Sequence, residues 1–117
     1  MNREEIFEYV KKQYNTSPEY LWDKYPLYAV LKHNDNKWYG IIMNVPKEKI
    51  GFVWKEEVDV LDVKCSPEMI GGLRKENGFL PAYHMNKENW ITILLDGSVN
   101  EERIKQLIEF SYELTAR

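Results

Sequence analysis

The sequence predicts an α+β domain in two layers, a small and mostly antiparallel sheet with its helices packed on one face. Three observations lead there. Apolar residues recur at helical spacing near both ends of the chain. Between them, two strand-like runs flank the turn Asn34-Asp35-Asn36, which reads as a β-hairpin. The remaining strands are few, so the helices have only one sheet to cover. The expected order is α-β-β-β-α-β-α, in one domain over residues 1–117.

Each element has its own signature. Ile6, Phe7, Val10 and Tyr14 share one helical face, Asn2 suits the N-cap, and Glu4 and Glu5 suit the positive end of the dipole. Asn15-Thr16-Ser17-Pro18 ends that helix. Tyr28 to Lys32 reads as a strand, with Ala29 and Leu31 opposite Tyr28 and Val30. Lys37 to Val45 supplies its return strand, and Pro46 closes it. Lys47 to Trp54 is a connector in which Gly51 marks a turn or a bulge. Glu57 to Lys64 alternates through Val58, Val60 and Val63 and reads as the third strand.

Ser66-Pro67-Glu68 then opens a helix: a capping serine, proline at the first helical position and an early acid. Met69, Ile70 and Leu73 form its buried stripe. Gly71 and Gly72 weaken it by ~1 kcal/mol each relative to alanine, which suggests another backbone close by. Asn77-Gly78 is expected to stop it. Glu88 to Leu95 is the most strand-like run, and Asp96-Gly97 is a turn. Ser98 and Glu101 have capping-box spacing, with Asn100 a competing cap. The last helix buries Ile104, Leu107, Ile108 and Ser111, with Tyr112 or Leu114 beside them.

Composition limits the function classes. The 117 residues are 44% hydrophobic and 30% charged, enough for one core without disulfides. Net charge is −3, the wrong sign for a protein held mainly by phosphate backbones. The acidity lies toward the ends, because residues 31–94 hold nine Lys/Arg and nine Asp/Glu. A basic face therefore requires the middle of the chain to sort its charges by side. The single cysteine, Cys65, excludes an intrachain disulfide. The acidic, amphipathic start is unlike a signal peptide, and no apolar run reaches the ~18 residues of a membrane span. A cytoplasmic location without membrane attachment is the expectation.

The blocks YAVLKHNDNKWYGIIMNVPKEKIG, VDVLDVKCSPEMIGGLRKENGFLPAYHMNKENWITILLDGSV and IEFSYELT together resemble the MmcQ/YjbR family. The resemblance runs from about Tyr20 to Leu114 and is sharpest at Pro81-Ala82-Tyr83-His84-Met85-Asn86-Lys87 leading to Trp90. Ala82 departs from it, standing where glycine is the common residue. The resemblance implies a double-wing α/β fold and a DNA-binding or regulatory role, a label resting on fold likeness to a phage transcription-factor domain. Fold alone does not assign function.

The stretch FLPAYHMNKENWITILLDG, from Phe79 to Gly97, concentrates polar and aromatic groups. As a site, His84 and Lys87 would hold a phosphate, Asn86 would read a base edge, and Trp90 would stack, with Tyr83 beside them. As structure, Tyr83 packs, His84 and Asn86 satisfy backbone groups in an irregular connection, and Trp90 starts a core strand. The hairpin offers a second surface, with Lys32, Lys37 and Trp38 flanking its tip and His33 between them. The favoured reading is a solvated turn, and Asp35 at the tip would repel phosphate. Lys64 and Arg74 would have to join these lysines for DNA to be held.

Other chemistries find less. Cys65 precedes a helix start, where a thiolate is favoured, and His84 would be its base. Free cysteine is more often an apolar filler. Two histidines and one cysteine show no metal-ligand spacing, and no metal or cofactor is expected. What the resemblance implies is thus a non-enzymatic DNA-binding or regulatory module, which the acidic net charge opposes. The alternative is a protein-interaction or small-ligand domain using exposed aromatics such as Trp22, Trp38 and Trp54.

Overall fold

A computed structural model describes residues 1–116. Helix α1 spans Arg3–Tyr14, with Asn2 and Glu5 forming a reciprocal capping box and Asn15 ending the helix in the left-handed region. Strands β1 (Ala29–Lys32), β2 (Trp38–Pro46) and β3 (Glu57–Lys64) follow, with a 3-10 turn at Lys47–Ile50 between the last two. Then come α2 (Pro67–Leu73), β4 (Phe79–Pro81), β5 (Trp90–Leu94) and α3 (Glu101–Thr115). The five strands form one sheet in the order β1-β2-β3-β5-β4, every neighbouring pair antiparallel.

All three helices lie on one face, as expected. Ile6 and Val10 of α1, Ile70 and Leu73 of α2, and Ile104, Leu107 and Ile108 of α3 share a core with Ala29, Leu31, Leu61, Val63, Ile91 and Ile93. Ser111, fully buried, fixes α3 to the sheet: its hydroxyl accepts the Lys64 N–H at 2.9 Å and donates to the Tyr39 carbonyl at 2.7 Å. The other face is also dry. Tyr28, Val30, Ile41, Met43, Val45, Val58, Val60 and Leu94 form a second cluster, covered by connecting segments that contribute Trp38, Ile50, Leu80, Tyr83 and Met85. β3 is therefore buried on both sides, and Val63 faces opposite to Val58 and Val60 rather than continuing their pattern.

Several expectations need correction. Residues 79–81 form an additional strand, giving α-β-β-β-α-β-β-α. Pro81 is tolerated there because β4 is the edge of the sheet, where a missing N–H breaks no ladder on the outer side. α2 ends at Leu73, not at Asn77-Gly78, and Ser66 begins it without a side-chain capping bond. A Cβ at Gly71 or Gly72 would meet nothing within 4 Å, so no backbone approaches them. Asn100, not Ser98, caps α3: its Oδ1 accepts the Arg103 N–H at 2.8 Å, while the Ser98 hydroxyl donates to Asp96. Leu114 is exposed.

A β-bulge interrupts the pairing of β1 with β2. Leu31 pairs with Gly40 but Lys32 pairs with Trp38, so Tyr39 is the extra residue. The slip reverses the phase of the strand's first two residues. Tyr39 joins the helix-side core, and Trp38 packs against the second cluster.

Candidate functional site

The second face of the sheet carries the groove. Residues 20–27 cross it without regular structure, held at one end by the backbone pairing of Glu19 with Val30. They carry Trp22 and Tyr25, which are 36% and 49% exposed. Trp22 meets Trp38 edge-on at 5.9 Å and Tyr28 edge-on at 6.0 Å, while Tyr25 stacks on Tyr28 at 4.7 Å. These rings, with Ile41 and Met43 from β2 and His84 and Met85 from the β4–β5 connection, enclose a depression of about 370 Å³. That is within the ~300–1,000 Å³ range of small-molecule sites.

The β4–β5 connection is shaped to complete this wall. Thr92, fully buried in β5, accepts the Tyr83 N–H at 2.9 Å and donates its hydroxyl to Asp62 at 2.5 Å. His84 takes φ of 65°, a left-handed conformation uncommon for a residue with a side chain. Tyr83 and Met85 pack inward while His84 lies against Tyr83 at 4.0 Å between ring centres. Ala82 is buried and takes no positive φ, so the departure from glycine needs no strain there. Asn86 accepts the Glu88 N–H at 2.8 Å and serves the turn, which is the structural role weighed for it.

A second depression, of about 600 Å³, adjoins the first and shares Trp38 and Met85 with it. Lys37, Lys64, Trp90, Leu114 and Thr115 complete its lining with Ala116. The antiparallel order explains the meeting. The start of β2, the end of β3 and the start of β5 lie at one end of the sheet, and Lys64 pairs directly with Trp90.

The remaining candidates scatter. Lys32 lies at the same end but its ammonium pairs with Glu19 at 3.3 Å. His33 bonds Thr115 across 2.8 Å and packs on Tyr112, tying the hairpin to α3. Lys87 lines a separate depression with Lys49, Leu80 and Tyr83. Arg74 is at the end of α2, on the helix side. Trp54 is exposed on the connector after the 3-10 turn.

Cys65 does not meet His84. The thiol is 1% exposed within the helix-side core, and burial pushes its pKa up to about 11. His84 lies on the opposite side of the sheet, beside Tyr28 and Tyr83. A disulfide thiol reagent is expected to leave Cys65 unmodified in the folded protein and to modify it fully in denaturant. Rapid modification under native conditions would contradict this placement. Among the described residues no three His, Cys, Asp or Glu side chains gather as a metal site. Among them, too, no helix is long and apolar enough to cross a membrane.

Asp62 is the functional-looking group that sequence reasoning missed. It is fully buried on the groove side of β3, and its Oδ2 has no hydrogen-bond partner among the described residues. Burial raises its pKa to about 7, against smaller lowering effects of the Thr92 bond and the Lys87 charge. A signal was present: Asp62 is in phase with Val58 and Val60, a carboxylate where the pattern demands an apolar residue.

Comparisons with known proteins agree with this architecture. The YjbR family model matches residues 11–114. The Bacillus subtilis (strain 168) protein YyaQ is 51% identical over 116 residues, 98% of each chain. The Escherichia coli (strain K12) protein YjbR is 34% identical over 85 residues, 69% of each chain. A crystal structure of a Pseudomonas syringae protein superposes with a TM-score of 0.97 at 50% identity, covering 99% of this chain and 100% of that one. A Deinococcus radiodurans protein with the DUF419 domain shares the fold, with a TM-score of 0.72 at 22% identity over 95% of this chain and 75% of that one.

Proposed function

This chain belongs to the YjbR family, and from the geometry of its groove we propose that it is a non-enzymatic binding module. Its ligand is a small, largely apolar molecule held between Trp22, Tyr25, Tyr28, Trp38 and the His84-Met85 wall. One observation carries this reading: four aromatic rings, packed on one another edge-on or stacked, surround a cavity of ligand size while Trp22 and Tyr25 remain substantially exposed. Exposed aromatic surface gathered in a concavity costs solubility, and a partner that covers it recovers the hydrophobic free energy. Neither wall supplies a nucleophile paired with a base, so binding is the chemistry on offer.

A DNA-binding role has weaker support. Net charge is −3, and of the five basic residues such a role needs, only Lys37 and Lys64 converge on one depression. Elsewhere cations alternate with carboxylates, as in the Arg3–Asp59, Lys47–Glu56 and Arg103–Glu76 pairs.

Tryptophan emission tests both. The uncharged fluor N-phenyl-1-naphthylamine is expected to bind and to shift that emission. Trp22→Ala and Trp38→Ala are each expected to weaken it at least about tenfold, the effect of removing an aromatic anchor. Unchanged affinity in both variants would remove the pocket reading. Duplex DNA at ~50 mM salt is expected to show no binding; binding that falls steeply as salt rises would reverse the order of the two readings.

A further inference from the structure

The aromatic depression opens beside a positive one. Trp38 and Met85 belong to both walls, so the two depressions adjoin at these side chains, with Lys37 and Lys64 on the far one. Neither lysine takes part in an ion pair among the described residues, whereas Lys32, Lys47, Lys105, Arg3 and Arg103 each do. The carbonyl end of α3 also faces this cavity through Leu114, Thr115 and Ala116, and its last turn carries no basic residue. A helix C-terminus presents about half a negative charge. Two ammonium groups therefore leave a positive surplus, on a molecule whose net charge is −3.

Resting on the pocket reading, we propose that the ligand is an aromatic anion: its ring lies among Trp22, Tyr28 and Trp38, and its carboxylate or phosphate is received by Lys37 and Lys64. Lys37 immediately precedes β2 and Lys64 ends β3, and only the pairing of these two strands puts the lysines on one cavity. Their long stems can lie along Trp38 and Trp90 while the ammonium groups stay hydrated, so the anion is met without burying either charge. This arrangement selects anionic ligands over neutral ones of the same shape, because only the anion gains charge-assisted hydrogen bonds.

A matched pair of fluors separates ring from charge. Anilinonaphthalene-8-sulfonate is N-phenyl-1-naphthylamine with a sulfonate added. The folded protein is expected to bind the sulfonate about tenfold more tightly at low salt, and the preference should shrink as salt rises. The double variant Lys37→Gln/Lys64→Gln is expected to lose that preference while keeping its affinity for the neutral fluor. Lys37→Arg/Lys64→Arg, which keeps both charges, is expected to restore it. Displacement of the sulfonate by 1-naphthoate or by 1-naphthyl phosphate, whichever is stronger, identifies the natural head group. Equal binding of the two fluors, a preference that survives the glutamine variant, or displacement by neither competitor overturns the anion and leaves the pocket standing. Failure of both fluors to bind removes the pocket and the anion together.

Discussion

Asp62→Asn is expected to make the protein more stable than the wild type at pH 8, and progressively less so as the pH falls toward 4. The reason is the buried carboxyl beneath the β4–β5 connection. Desolvation moves its pKa from the ordinary 3.8 to about 7. Between those values the folded protein holds a proton that the unfolded chain has released. Unfolding is therefore favoured as pH rises, at up to about 1.4 kcal/mol per pH unit. The contribution is complete below pH 4, is lost through pH 7, and stays lost above it, for a total of about 4 kcal/mol. Asparagine is neutral throughout and has no such slope. Urea unfolding of both proteins at pH 5, 6, 7 and 8 measures the difference, which is expected to grow in the variant's favour by about 3 kcal/mol between pH 5 and 8. Parallel pH profiles would mean that Asp62 ionises as easily in the folded chain as in the unfolded one.

Gly78→Ala is expected to lower stability by about 2–5 kcal/mol, and the melting temperature by roughly 10–20 °C. Two costs add at this position. The backbone has φ of 92°, where a Cβ is strained by about 1–2 kcal/mol. That Cβ would also lie 2.5 Å from Val99 Cγ2 and 2.9 Å from Ser98 Cβ, and overpacking of this kind costs about 1–3 kcal/mol. The Gly78 carbonyl accepts the Leu94 N–H at 2.8 Å, so a shift here also disturbs the entry to β4. Gly97 separates the two costs. It has the same φ of 92° and no atom within 4 Å of its would-be Cβ. Gly97→Ala is thus expected to lose only the backbone part, about 1–2 kcal/mol. Equal losses in thermal or urea unfolding would show that the contact with Val99 and Ser98 relaxes freely.

Gly78 also shows how a correct sequence signal can carry the wrong reason. Asn77-Gly78 reads as a helix stop, yet α2 has already ended at Leu73. The glycine is there because Val99 and Ser98, some twenty residues later, leave no room for a side chain. The same limit hid β4. Three residues containing a proline show no alternation, and they become a strand because β5 offers them a free edge. The helices and longer strands were legible because each has a period set by its own backbone geometry. α1, the hairpin, β3 and α3 all stand where their apolar spacing puts them. Asp62 was legible too, as a carboxylate in the buried phase of β3, but that inference required knowing that both faces of the strand are covered.

The candidate site divides along the same line. His84, Lys37, Trp38, Lys64 and Trp90 could be named from the chain, and so could Trp22 as an exposed aromatic. Their grouping could not. Trp38 reaches the groove only because the bulge at Tyr39 reverses its phase, and a one-residue slip leaves no trace in an apolar run. Trp22 reaches it because Glu19 pairs with Val30 and lays an aperiodic segment across the sheet.

The amino-acid order by itself carried the family resemblance in its motifs, and it determined the longer elements and the packing of the helices on one face, because these follow from local geometry and from which residues avoid water. Only the folded chain decided that Lys37 and Lys64 line one depression and that Trp22 and His84 line another. Those groupings depend on strand order and register, which are set by burying every face at once and are not written in any single segment.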